Sequence, residues 1–133
     1  MEYISTRNKN KIFSFKEVFL KGLAPDGGLF VPKSIPKFSL TEINHLKNLS
    51  YRNLAVEIIC KFSGSEFNKD DVKELVENSY KNFRQEEVVT IKKFGEINLL
   101  ELFHGPTLAF KDIAMQVIGN MYEKILKKNN LKI

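Results

Sequence analysis

One cysteine, Cys60, is present among the 133 residues, so an internal disulfide is excluded. Its apolar neighbours Ile58, Ile59 and Phe62 predict a buried, unreactive thiol. Histidine is nearly as scarce, with two in the chain. His45 has no cysteine, aspartate or second histidine at ligand spacing, and no metal site is expected there. No stretch approaches the roughly 18 apolar residues of a membrane span. The opening Met1 to Ser5 also lacks the apolar core of an export signal, so a cytoplasmic protein is expected, with no membrane partner. Repeats and low-complexity tracts are missing. There is no Ser/His/Asp nucleophile elbow, and the adjacent Asp70 and Asp71 point in different directions on a helix, which prevents them from working as an acid/base pair. The net charge of +5 comes from lysines scattered along the chain, among them Lys9, Lys33, Lys61, Lys92 and Lys127. No element carries a basic stripe interleaved with aromatics, so a solvated surface is expected and nucleic acid is not a partner.

What the chain does have is regular punctuation. Ser14-Phe15-Lys16-Glu17 has capping-box spacing and predicts a short helix over 15–21, stopped by Gly22. Ala24 to Gly28 supplies turn residues before the apolar run Leu29 to Val31, which reads as a short strand alongside Tyr3 to Ser5. Ser39-Leu40-Thr41-Glu42 is a second capping box. Ser50 caps a third helix, whose face is read as Leu54, Ala55, Ile58, Ile59 and Phe62 up to Gly64. Asn68 opens a fourth helix, with Asp70 and Asp71 at its positive end and Val72, Leu75, Val76 and Tyr80 as its apolar stripe. Val88 to Lys93 and Ile97 to Phe103 read as two strands joined at Phe94-Gly95-Glu96.

The run Glu101 to Asp112 carries the chemistry. A strand ends, Gly105-Pro106 breaks the chain, and an apolar face at helical spacing follows over 110–128: Phe110, Ile113, Ala114, Val117, Ile118, Met121, Tyr122, Ile125 and Leu126. Lys111 therefore falls at a helix N-terminus, where the positive end of the helix dipole and any burial favour the free amine that attacks an aldehyde. Thr107 or Asp112 is placed to cap or charge the first turn. His104 precedes the turn. Two roles stay open for it, a ring hydrogen-bonded to backbone to hold the turn or a group that acts in catalysis.

As a string, Glu101-Leu102-Phe103-His104-Gly105-Pro106-Thr107-Leu108-Ala109-Phe110-Lys111-Asp112 resembles the lysine segment of the threonine synthase family of pyridoxal-phosphate enzymes. A second stretch resembles the opening of the same family: Tyr3 to Arg7, then Ser14-Phe15, then Gly22 to Pro32. The two lie in the family's order and at about its separation. One position departs from the pattern, since Asn8 follows Arg7 where the family usually has glycine.

The resemblance implies an α/β fold class, α+β within these residues. A helix-rich N-terminal domain with short strands is expected over 1–85, followed at 86–133 by the beginning of a fold-type-II pyridoxal-phosphate-binding domain. The family's Ser-Gly-Asp-Thr-Gly substrate loop and glycine-rich phosphate stretch are not found, so the chain is expected to be a truncated, inactive piece, with Lys132-Ile133 leading into a strand. For the parent the resemblance implies conversion of O-phospho-L-homoserine and water to L-threonine and phosphate. Lys111 is then the residue that carries pyridoxal 5'-phosphate covalently and shuttles protons. Phe110 and Leu108 would wall the pocket, while His104, Thr107 and Arg7 would lie near the small-molecule substrate. Arg7 has the competing use of pairing with carboxylates of its own domain. Two further expectations accompany these: a non-catalytic interaction module derived from the same N-terminal domain is the alternative function, and the truncated chain is expected to self-associate through its uncovered apolar helix face.

Overall fold

A computed structural model describes residues 1–131, and Lys132 and Ile133, where a further strand is expected, lie outside the described residues. The first element, β1 (Tyr3–Ser5), pairs antiparallel with β2 (Phe30–Pro32), in the register Tyr3 to Pro32, Ile4 to Val31 and Ser5 to Phe30. The second strand sits one residue later than the expected Leu29 to Val31. Pro32 ends it because its missing N–H is tolerated at a strand end but not within a ladder.

Four helices follow the capping signals. In α1 (Phe15–Lys21), Ser14 accepts from the Glu17 N–H, and Glu17 accepts in return from the Ser14 N–H at 2.8 Å. The same reciprocal box starts α2 (Leu40–Leu46), at Ser39 and Glu42. Ser50 caps α3 (Tyr51–Ser63), while Asn68 and Asp71 box the start of α4 (Lys69–Tyr80). Each pair satisfies backbone donors that a helix start leaves without partners.

Strands β3 (Thr90–Phe94) and β4 (Ile97–Glu101) form an antiparallel hairpin, and α5 (Asp112–Lys128) closes the described structure. Both strands are shorter than the apolar runs Val88 to Lys93 and Ile97 to Phe103 suggest. Val88 is fully buried with a left-handed backbone (φ 59°), which takes it out of the ladder. Gly95 (φ 59°) begins the two-residue connection between Phe94 and Ile97, where a left-handed φ suits glycine. The hairpin stands away from the body, with Ile91, Phe94, Ile97, Leu99 and Leu100 all exposed.

The core lies where α4 and α5 pack together over α3. Val72, Leu75, Val76 and Tyr80 of α4 meet Val117, Met121 and Ile125 of α5, with Val56, Phe67 and Val88 completing the cluster. The predicted stripe of α4 is thus the buried one. Two long-range hydrogen bonds tie the pieces, from the Tyr80 hydroxyl to the Ile113 carbonyl (3.1 Å) and from the Tyr122 hydroxyl to the Phe19 carbonyl of α1 (2.7 Å).

Three expectations change. The face of α3 turned to the core holds Val56, with Ala55, Ile59 and Cys60 partly buried beside it, whereas Ile58 is exposed. Leu54 and Ile58 instead border an apolar trough of about 430 Å³ shared with Ile113, Ala114 and Ile118 of α5. Cys60 is half-buried, not buried, although desolvation still raises its thiol pKa and keeps it protonated. Finally, α5 starts at Asp112, so Phe110 belongs to the turn before it and is 65% exposed.

Candidate functional site

The turn between β4 and α5 is built by two buried carboxylates. Glu101 ends β4, opposite Thr90 in the hairpin register, and is 5% exposed. Its Oε2 accepts from the Thr90 hydroxyl (3.0 Å) and lies 2.9 Å from Nε2 of His104, while its Oε1 is 2.9 Å from the Lys92 ammonium. The Lys92 ion pair first, and the bonds to His104 and Thr90 after it, hold the Glu101 carboxyl below the usual range against the opposing effect of burial. His104 is buried too, and its carbonyl accepts from the Arg84 N–H at 2.9 Å. The ring is therefore gripped by side chains, where a backbone partner was the structural role foreseen for it.

The second carboxylate is Asp112, 4% exposed. Its Oδ2 accepts from the Thr107 N–H (2.7 Å) and its Oδ1 from the Thr107 hydroxyl (2.8 Å). Burial alone would raise this carboxyl, but the hydrogen bonds from Thr107, together with those from the Ala109 backbone and the Gln116 side chain, outweigh it and the pKa is lowered. Asp112 thus fastens the preceding turn, and Lys111, the residue before α5, gives the helix no side-chain cap. A Cβ on Gly105 would come within 2.3 Å of the Asp112 Cβ, so glycine is the residue that lets the two ends of the turn close. Gly105→Ala should push Asp112 off Thr107 and destabilise the chain by roughly 1–3 kcal/mol, as overpacking does. A thermal melt checks this.

Both carboxylates make the turn acid-sensitive. Asp112 lies below its ordinary 3.8 and Glu101 below its ordinary 4.5. Folded-state values that are depressed mean that the unfolded chain binds more protons, so the contribution is complete above the ordinary values and is lost as pH falls through the folded ones. The melting temperature should drop on acidification below about pH 4.5. Asp112→Asn should remove part of that slope, and a pH series of melts reads it out.

Lys111 sits at the end of this turn. Three residues before it, Leu108 has a left-handed backbone (φ 63°), an uncommon and costly conformation for a side chain of that size. Lys111 lines a cavity of about 650 Å³ whose walls include Leu100, Leu102, Phe110, Ile113 and Met115. Tyr51, Ile113 and Ala114 are shared with the trough along α3, so the two form one apolar channel with an amine at one end. Leu108 is not among the lining residues, and the lysine itself is exposed. The channel offers a flat, largely apolar ring an apolar face beside a primary amine.

The other site residues divide by location. His104 and Thr107 belong to the turn that carries Lys111. Arg7 does not line this cavity: its guanidinium donates to the Asp26 carbonyl (3.2 Å) beyond β1, beside Gly27. Asn8 keeps out of the left-handed region and accepts from the Asn10 N–H (3.0 Å), so the loop closes without the glycine usual in the family. Glu101 and Thr90 were not foreseen as site residues. Their signal was a carboxylate ending an apolar strand, which only the hairpin register connects to Thr90.

Comparison with known proteins gives a consistent picture. The family model described as threonine synthase N terminus matches residues 2–80. A threonine synthase of Schizosaccharomyces pombe is 44% identical over 132 residues, which are 98% of this chain and 26% of that protein. Among solved structures, the PLP-bound threonine synthase of Brucella melitensis is similar with a TM-score of 0.93 and 37% identity over 98% of this chain and 28% of that one. The yeast threonine synthase gives a TM-score of 0.92 and 40% identity, over 97% and 27%. The chain thus spans about a quarter of the length of the relatives it matches. The mixed fold of helices and short strands is that of the corresponding region of these proteins.

Proposed function

Because this chain belongs to the threonine synthase family, we propose that the intact protein carrying it is a pyridoxal-phosphate-dependent lyase that converts O-phospho-L-homoserine and water to L-threonine and phosphate. The observation that carries this reading is Lys111, an amine held at the end of a doubly pinned turn and facing an apolar cavity. The residues present fit the ring of the cofactor: Lys111 would hold it covalently, and Leu102, Phe110 and Met115 would flank it. When bound, pyridoxal phosphate supplies the electron sink that no protein side chain offers for carbanions next to an amino group.

What the chain itself contributes is proton transfer and placement. Protons must leave the substrate first at the α carbon and then at the β carbon, so that the γ-phosphate departs before water adds at the β carbon. Lys111 Nζ is the group suited to take and return them. Thr107 and His104 orient the turn near the substrate, with Arg7 as a candidate phosphate contact if the intact protein brings it closer. A division near residue 85 into an N-terminal domain and the start of the cofactor domain belongs to the same proposal, as does a cytoplasmic location. No helix among the described residues is long and apolar enough to cross a membrane.

Borohydride reduction of the intact protein with pyridoxal phosphate, followed by peptide mapping, tests the reading. A pyridoxyl label on Lys111, together with release of phosphate from O-phospho-L-homoserine, is expected; a label on another lysine refutes the assignment. By itself the 133-residue chain should be inactive and should self-associate through the apolar channel. Light scattering that rises with concentration is the expected result. A strict monomer that binds no apolar dye would overturn the expected self-association; the alternative, an interaction module without catalytic activity, is favoured instead if the intact reading frame ends without a substrate loop or a phosphate loop.

A further inference from the structure

No step of the proposed reaction uses Glu101, yet it is among the most buried charged groups of the chain. We propose that Glu101, acting through His104, is a positioning residue for Lys111; the claim rests on the function proposed above.

Burying a carboxylate is unfavourable, and an apolar side chain would fill the base of the hairpin at lower cost. Here the charge is matched donor by donor: Lys92 at one oxygen, Thr90 and His104 at the other. Such a satisfied network fixes geometry more than it adds stability. What it fixes is the His104 ring, whose own main chain is held by Arg84. The next residue, Gly105, packs against Asp112, and Asp112 holds Thr107. The chain of contacts from Glu101 therefore ends at the residue following Lys111. Between its anchors lies Leu108, whose left-handed backbone persists only while its surroundings demand it. If the Glu101 anchor is removed, Leu108 can relax and the Lys111 amine spreads over several positions instead of one.

Three variants of the intact protein, Glu101→Ala, His104→Ala and His104→Gln, separate this from a role in stability alone. Glutamine places an amide N–H close to where imidazole Nε2 donates, so it restores the contact to Glu101. Two readouts are needed, amide hydrogen exchange without cofactor and the rate of pyridoxyl labelling at Lys111 under borohydride. Glu101→Ala and His104→Ala should each speed exchange at residues 105–111 by about tenfold or more, as expected for a lost hydrogen bond to a charged group. Exchange in α4 should stay unchanged, and Lys111 labelling should slow by about the same factor. Combining the two should have a clearly less than additive effect, because both break the Glu101–His104 contact, while Glu101→Ala also frees Lys92 and Thr90. His104→Gln should lie within about threefold of the parent in both readouts.

The proposal is overturned if Glu101→Ala leaves exchange at 105–111 unchanged, if exchange rises equally throughout α4, or if the glutamine variant is as impaired as the alanine one. If the parent takes no label at Lys111, the proposed function fails, and exchange alone then decides whether Glu101 sets the turn.

Discussion

Replacing Lys111 with alanine in the intact protein should abolish pyridoxyl labelling at this position and lower turnover by at least the roughly 10²–10⁴-fold that a positioned proton-transfer group supplies. Stability should barely move. The lysine is exposed, makes no cap for α5, and lies outside the buried cluster, so its truncation belongs with surface changes of about ±0.5 kcal/mol. This separation of chemistry from fold is what makes the variant informative, and turnover beside a thermal melt measures both. An alanine variant that keeps its activity would remove Lys111 from the mechanism. A variant that loses activity together with several kilocalories of stability would show that the side chain is part of the packing.

The turn around Lys111 illustrates how much of such a site can be read in a sequence. Local signals were legible because their physics is local. Capping boxes at Ser14 and Ser39 each satisfy helix-start donors within four residues, and the structure has both; Asn68, read only as the residue that opens α4, adds a third box with Asp71. The α4 stripe was equally plain, since a 3.6-residue period reports one buried face. Partnering across the chain was not. The face of α3 was read from its largest apolar residues, but the direction from which α4 and α5 approach decides burial, and Val56 is inside while Ile58 borders an open channel. Asp112 looked like a helix-terminal charge, and its use as an anchor for Thr107 depends on how tightly Gly105 lets the turn close. Glu101 was legible only as the first letter of a motif. Its partners Thr90 and Lys92 come from the other strand, and no spacing rule reaches across a hairpin whose register is unknown.

The same limit defines the change that should harm the fold most. Ile125→Ala should destabilise the chain by roughly 2–5 kcal/mol, the range for truncating a large aliphatic side chain in a core. Ile125 is fully buried, the largest side chain so enclosed, and it belongs to the cluster with Val72, Val76 and Met121. Several elements meet there, so no single helix can slide in to fill the space. The cost should therefore lie toward the upper part of that range, because the penalty grows with the cavity that remains. Ile118, on the same helix but bordering the open channel, provides the control: it is 36% exposed, and its truncation should cost much less. Denaturant melts of the two variants measure the difference. Equal losses would mean that the channel is filled in solution, by a second copy of the chain or by a partner, and that the α3–α5 face is as much a core as the α4–α5 one.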